Sequence, residues 1–512
     1  MPKKSQIIPL ALRSRPPGAT LFRWLYDEVR TAIVEDRLTP GSRLPSTRSI
    51  ASRYRVARGT VVAAFDQLAA EGYLEGNVGN GTFVRRTTLE SLLDGRPARP
   101  HMRANSKRAS LSIRGRRLIS NPFPKLWSNR KVETFQLDSP ALEAFPIKVW
   151  GRIAARRLQT GAPGLLTHGA TLGFRPLREA VASHVALTRG VKCTADHVMI
   201  TTGTQQSLDL IARLVLDPGD RAWVEDPAYA AATCLLRAVG SEVVGVPVDA
   251  EGINCDAGRL RCRLAKLAYV TPGCQFPLGV TMSLERRLAL LRWAQEAGAW
   301  IFEDDYDSQL RFDGRPLSAL HSLDGSGCVI YSNSFNKMLF SALRLGFLVV
   351  PPRLVDAVTA ARSIIDRFPA VLDQVTLCDF ISEGHMEQHM RRMRELYATR
   401  LDALVQSARR NLDGVMEVSP KHGGLQVVGW LAKDIEEDEA CRRAAERGID
   451  SVALSSLTID REMPPALVLG VTSADVRAIR RGVKRLGHTL RELQARGAVS
   501  RTSAFQKTAG SR

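Results

Sequence analysis

An α/β body built on a mostly parallel sheet, preceded by a small winged helix-turn-helix, is the fold class this sequence predicts. Three observations carry the expectation. Short β-branched runs alternate with helical stretches through the middle of the chain. Three helical periods and a glycine-rich hairpin pattern occupy the first 86 residues. Positive charge is gathered at that same end. At 512 residues the chain is too long for one hydrophobic core, so two or three domains are expected.

The net charge is +20, and residues 1–130 hold 24 Lys/Arg against 9 Asp/Glu. A basic module on a nearly balanced body suggests a polyanion-binding head, because Lys and Arg release counterions when they neutralise phosphates. No apolar run approaches the roughly 20 residues that span a bilayer. The segment Ile7 to Leu12 is shorter than a signal-peptide core and carries Pro9. A soluble, cytoplasmic protein with no membrane partner is expected. The eight cysteines show no Cys-x-x-Cys pair and no matching histidine spacing, so neither a disulfide framework nor a metal site is expected.

In the head (residues 1–86), Leu21, Leu25, Val29 and Ile33 make one face of a first helix, ended by Thr39-Pro40-Gly41. Ser46 caps a second helix with Ile50, Ala51 and Tyr54 inward. A third runs from Arg58 to Ala70, with Val61, Phe65, Leu68 and Ala69 on one face and Gly72 closing it. Tyr73-Leu74-Glu75 and Gly81-Thr82-Phe83-Val84 flank a glycine-rich turn and read as a wing. The 64-residue stretch from Leu21 to Val84, with its Leu44-Pro45-Ser46-x-Arg48 signature and the Glu71-Gly72-Tyr73-Leu74 entry to the wing, resembles the GntR family of regulators. That resemblance implies operator contacts by Arg48, Arg58, Thr60, Gly79 and Gly81, and arginines at a recognition-helix entrance suit phosphates and guanine edges. Ala57 stands where that helix usually has a Ser or Thr cap, and Gly59 lies in its first turn.

Residues 87–130 are rich in Arg, Ser, Pro and Asn without a sustained period and read as a flexible basic connector. The body spans 131–496, and 497–512 read as a disordered tail. Strands are expected at Val198–Ile200, Arg221–Val224, Leu267–Val270, Ala299–Phe302 and Cys328–Tyr331. In open sheets ligands sit at the C-terminal strand ends. Three clusters fall there: Thr201-Thr202-Gly203-Thr204-Gln205-Gln206 opening a helix, Glu303-Asp304-Asp305-Tyr306-Asp307, and Asn333-Ser334-Phe335-Asn336-Lys337 followed by Ser341 to Gly346. Each alone has a bland reading as a turn, a solvated acidic loop or one lysine among many.

Together with Gly173 to Arg178, Glu225 to Tyr229 and Tyr269 to Pro272, the clusters resemble fold-type-I pyridoxal-phosphate (PLP) enzymes, in the order and spacing of the MocR subfamily of GntR regulators. The resemblance implies an aminotransferase-like body with a smaller C-terminal α+β subdomain. It makes Lys337 the Schiff-base lysine. Asp304 would pair with the pyridine nitrogen and Tyr306 with the ring oxygen. Gly203, Thr204, Gln205, Ser334 and Arg344 would hold the phosphate, and Tyr229 would lie against the ring.

Two departures bear on the ligand. The late-strand arginine that binds a substrate carboxylate in aminotransferases has no counterpart in Ala466 to Val471, and Cys274, Leu278 and Asn336 replace a His, a Thr and a Ser of the subfamily pattern. The expected function is a homodimeric, operator-binding regulator that senses a small amine or amino-acid-like effector by aldimine exchange at Lys337. An active aminotransferase carrying a DNA-binding domain is the alternative. A body kept only for dimerisation is a third, disfavoured by the intact Asp304, Tyr306, Lys337 and Arg344.

Overall fold

The computed structural model describes residues 10–77, 81–85, 110–119, 134–137, 139–165, 167, 169–311, 317–418 and 424–509, with side chains omitted at 77, 162–164 and 497–509. The chain divides into two compact units, Met1–Ala109 and Ser110–Arg512.

The first unit has the expected elements: helices Leu21–Val34, Thr47–Tyr54 and Arg58–Ala70, then strands β1 (Leu74–Asn77) and β2 (Gly81–Val84), paired antiparallel. Trp24, Leu25, Val29, Ile33, Ile50, Val61, Phe65 and Leu68 form one core, which Leu10 joins from the N-terminal side. This accounts for part of the apolar run near the N-terminus, since Tyr54 Oη donates to the Leu10 carbonyl at 2.5 Å. The first helix stops at Val34, ahead of Thr39-Pro40-Gly41. The Leu38 amide donates back to the Ala32 carbonyl at 2.8 Å, a six-residue closure that turns Leu38 into the core. Leu21, expected on the inner face, is 38% exposed. Ser46 Oγ accepts from the Ser49 amide at 3.2 Å, as a cap should, whereas Ala57 gives the third helix no side-chain cap. A residue pair not anticipated, Arg43 and Phe83, bridges the wing to the segment before the second helix.

In the second unit the large sheet comprises β3 (Val198–Thr201), β4 (Arg221–Asp226), β5 (Glu242–Asp249), β6 (Gly252–Ile253), β7 (Leu267–Val270), β8 (Trp300–Asp304), β9 (Val329–Ser334) and β10 (Gly346–Val349). Their order is β3-β10-β9-β8-β7-β4-β5-β6. The central pairings β9-β8-β7-β4-β5 are all parallel, and β10 runs antiparallel between β3 and β9. All five expected strands are present. Burial on both faces explains their continuous apolar runs, with one face packed around Leu208, Ile211, Val224 and Phe302 and the other around Trp223, Val270, Trp293 and Ile301. A smaller sheet, β11 (Met416–Val418), β12 (Gln426–Leu431), β13 (Val452–Ala453) and β14 (Ala466–Gly470), has the antiparallel order β11-β12-β14-β13. Helices His385–Asn411, Glu437–Glu446 and Val476–Ala509 pack in the same subdomain.

Two segments differ from the sequence expectation. The stretch read as a featureless connector contains a helix, Ile113–Ile119, opened by Ser112, whose Oγ accepts from the Gly115 amide at 3.0 Å. Seven residues are too few to leave a readable period. The closing helix continues to Ala509, past residue 496, and residues 497–509 contain no proline to stop it.

Candidate active site

One edge of the large sheet gathers the three sequence clusters. β3 ends in Thr201 and passes through Gly203 into helix Thr204–Val215, β8 ends at Asp304, and β9 leads into the short helix Phe335–Met338 carrying Lys337. They surround a cavity of about 610 Å³ that Gly203, Thr204, Gln205, Tyr229, Tyr306 and Ser334 line along with Asp304, Lys337 and Arg344. The nine residues expected at the cofactor thus meet in one place.

Gly203 is where the backbone needs a glycine. Its φ is +126°, and a Cβ there would lie 3.0 Å from Asn336 Nδ2, 3.6 Å from Ser334 Oγ and 4.0 Å from an Arg344 guanidinium nitrogen. Gly346 opposite it would place a Cβ 2.8 Å from the Gly203 Cα. The result is a helix N-terminus with small residues, a hydroxyl and a guanidinium around one space, the donor set that suits a phosphate group. Asn336, which replaces the subfamily serine, ties this cradle together: its Oδ1 accepts from the Leu345 amide at 3.0 Å and its Nδ2 donates to the Thr202 carbonyl at 3.4 Å.

Of the acidic run at the end of β8, only Asp304 lines the cavity. Glu303 turns away and accepts from the Leu320 and His321 amides at 2.7 and 2.8 Å. Asp305 forms a fully buried ion pair with Arg189 at 2.8 Å and accepts from Tyr331 Oη. These two acids hold the sheet to its surroundings, and losing one partner of such a pair costs about 3–5 kcal/mol. Asp304 accepts from Tyr269 Oη at 2.7 Å and from Thr204 Oγ1 at 3.1 Å. Burial pushes its carboxyl up to about 6, against the opposing pull of those two hydroxyls and the Lys337 charge. Tyr306 Oη accepts from Gln426 Nε2 at 2.9 Å, so a strand of the small subdomain fixes that phenol. Burial holds both Tyr269 and Tyr306 well above the ordinary tyrosine range, which keeps each a proton donor.

Tyr269 and Gln426 carry no role in the sequence reading. Tyr269 stands near the C-terminal end of β7, beside β8, and its signals in the sequence are that strand end and its place in the matching stretch Tyr269 to Pro272. Gln426 comes from a strand more than a hundred residues away, which no local pattern reveals. Phe276 also lines the cavity and packs edge-on against both Tyr229 and Tyr306. Leu137 and Leu142 complete an apolar wall from the segment that enters the body.

PLP fits this site. The cradle at Gly203 suits its phosphate, Asp304 its ring nitrogen, Tyr306 its ring oxygen, Tyr229 its face and Lys337 its aldehyde. A protonated ring nitrogen needs the ionised form of Asp304. Cofactor affinity is therefore expected to fall about tenfold per pH unit below about pH 6. Asp304→Asn should bind more weakly above that pH and lose the dependence, as equilibrium dialysis would show. Equal pH profiles for both proteins would remove Asp304 from this role.

In the first unit Arg48 and Arg58 are exposed on the second and third helices, and Thr60 is half-buried in the first turn of the third. Gly81, at φ +98°, lies opposite Asn77 at the turn end of the wing and packs against the Arg43 guanidinium. Gly79 lies outside the described residues. Among the described residues no helix is long and apolar enough to cross a membrane, and no group of three or more His, Cys, Asp or Glu side chains could hold a metal ion.

Comparison with known proteins agrees with both halves. Residues 23–84 match the profile of bacterial regulatory proteins of the gntR family, and residues 143–479 that of class I and II aminotransferases. The chain is 36% identical over 490 residues to the probable rhizopine catabolism regulatory protein MocR of Rhizobium meliloti, covering 95% of this chain and 97% of that one. The structure of LysN, the α-aminoadipate aminotransferase of Thermus thermophilus, superposes with a TM-score of 0.69 at 28% identity, over 75% of this chain and 98% of LysN. Pyrococcus horikoshii kynurenine aminotransferase, solved with PMP, gives 0.67 at 28% identity, over 76% of this chain and 97% of its own.

Proposed function

Because the chain belongs to the MocR-like branch of the GntR family, with a class I and II aminotransferase domain as its body, we propose that it is a PLP-dependent transcription regulator whose body senses a small amine. The observation that carries the reading is the pairing, in one chain, of a winged helix-turn-helix with a cavity that unites Lys337, Asp304, Tyr306 and the Gly203 cradle.

When bound, PLP supplies an amine-reactive carbonyl and an electron-withdrawing ring. Lys337 would hold it covalently, and a primary amine competing for the same carbonyl would release the Lys337 amine into the cavity. Asp304, positioned by Tyr269 and Thr204, would keep the ring nitrogen protonated. Tyr306, fixed by Gln426, would donate to the ring oxygen. Gly203, Thr204, Gln205, Ser334 and Arg344 would anchor the phosphate while the other end exchanges. An amine that binds two arrangements of the protein with different affinity then shifts their balance, and with it operator binding.

Sensing is favoured over turnover by the cavity's cations. Among its described lining residues these are Lys337 and Arg344, and β14, where an aminotransferase carries its carboxylate-binding arginine, presents Ala466-Leu467-Val468-Leu469-Gly470, all buried. A homodimer is supported by exposed Leu142, Ile147, Leu158 and Ile364 on the body, with Leu142 also at the cavity. A cytoplasmic location follows from the operator.

The test is to titrate a panel of primary amines into the PLP-loaded protein while following both cofactor absorbance and anisotropy of labelled promoter DNA. A regulator shows an amine that moves both signals without consuming a keto acid. Sustained turnover with a keto acid and no change in DNA binding would instead establish the aminotransferase alternative.

A further inference from the structure

The body's charge is nearly balanced overall, yet one face of its closing helix is not. Arg477, Arg481, Lys484, His488 and Arg491 recur at spacings of four, three, four and three, which places them in one stripe, and all five are exposed. Ile479, Val483, Leu486 and Leu490 form the opposite face and are buried to within 1%. At 1.5 Å per residue the stripe is about 21 Å long. Its middle borders a concavity of about 410 Å³ lined by Arg447, Arg481, Lys484, Arg485 and His488, basic side chains throughout.

An exposed helix face ordinarily mixes both signs, as helix Glu437–Glu446 of the same subdomain does: Glu439 pairs with Arg442 and Arg443, and Arg442 pairs with Glu446. The closing helix does not follow that pattern. Its first acid after Asp475 is Glu492, which pairs with Arg447 at 2.7 Å and approaches His488 at 2.9 Å. Asp475 is occupied in capping the helix through the Ala478 amide. Arg491 donates to the Asn411 carbonyl at 2.8 Å. The side chains of Arg477, Arg481 and Lys484 have no ion pair or hydrogen bond to any described residue. Like charges held this close repel one another, a cost that a polyanion removes.

We propose that this stripe is a second DNA-contacting surface, which neutralises backbone phosphates of duplex DNA held by the same chain. The choice of DNA rests on the head being a DNA reader. A duplex captured by the head stands at raised effective concentration for any basic surface of the same chain that the connector lets it reach. About 21 Å of duplex carries roughly twelve phosphate charges over its two strands, roughly six on each. Such contacts are insensitive to sequence and add affinity and salt dependence.

The experiment uses the full-length protein and a long duplex of random sequence, with affinity measured by fluorescence anisotropy across a range of salt. The triple variant Arg477→Ala, Arg481→Ala, Lys484→Ala should bind roughly tenfold more weakly at low salt, with the slope of log affinity against log salt reduced by roughly three. Its cofactor absorbance and thermal midpoint should be unchanged, and Arg477→Lys with Arg481→Lys should retain wild-type binding. A triple variant with the wild-type slope overturns the proposal. So does a variant that keeps its DNA affinity but loses thermal stabilisation by inorganic tripolyphosphate, which would assign the surface to a small polyanion. Failure of the regulator reading looks different: wild-type protein then binds neither this duplex nor promoter DNA.

Discussion

Replacing Lys337 by alanine is expected to abolish covalent cofactor attachment. Wild-type protein incubated with PLP and then treated with borohydride should gain the cofactor's mass, and Lys337→Ala should gain none above background. The lysine sits on a four-residue helix, and that helix is fixed by its neighbours, with Ser334 Oγ accepting from the Asn336 amide at 3.3 Å and Asn336 accepting from Leu345. The phosphate cradle at Gly203 and the carboxylate of Asp304 are built without Lys337, so the variant should retain noncovalent binding and its fold. Lys337 is the only lysine among the described residues lining the cavity. Reductive incorporation at another lysine in Lys337→Ala would overturn this assignment. The same variant should no longer answer amines in the DNA-binding assay, which separates sensing from operator recognition.

Arg48→Ala and Arg58→Ala are expected to weaken promoter binding by about 1–3 kcal/mol each, roughly five- to 150-fold, while cofactor absorbance stays as in the wild type. Both side chains are exposed and have no ion pair with any described residue, so their removal leaves the head's core intact. The missing cap at Ala57 adds to the effect. The first amides of the third helix have no side-chain acceptor, so a phosphate placed by Arg58 would find them open. Unchanged promoter binding in both variants would move the DNA contacts elsewhere, and the wing around Gly81 and Arg43 would be the next place to substitute. The double variant should lose sequence preference. Loss at the closing-helix stripe should be uniform across sequences, so the two surfaces are distinguishable by competition with random duplex.

Much of the site was legible because its parts lie at strand ends and helix starts, where local sequence and backbone geometry are closely tied. Thr201 to Gln206, Asp304 and Ser334 to Lys337 each sit within a few residues of an element boundary, and the parallel sheet brings those boundaries to one edge. The acidic run Glu303 to Asp307 was legible only as a run. Alternation along a strand sends neighbours to opposite faces, so Asp304 meets the cavity while Glu303 and Asp305 serve the packing. Gln426 and Leu137 reach the cavity from distant parts of the chain, and Asn336 gains its meaning from Leu345 and Thr202, contacts that exist only after folding.

The sequence by itself determined the two-part plan, the helices of the head, five of the eight strands of the large sheet and the nine residues, Lys337 among them, that meet in the cavity. Periodicity, caps and turn residues act within a few positions, and those signals survive in one dimension. Only the tertiary structure decided which acid faces the cavity, that Tyr269 and Thr204 hold it, that a helix interrupts the connector, and that the closing helix carries an exposed basic stripe in which Arg477, Arg481 and Lys484 have no ion pair with any described residue. Each of these depends on what lies across from a residue, through burial and charge at distances of a few ångströms, and sequence neighbours do not encode that.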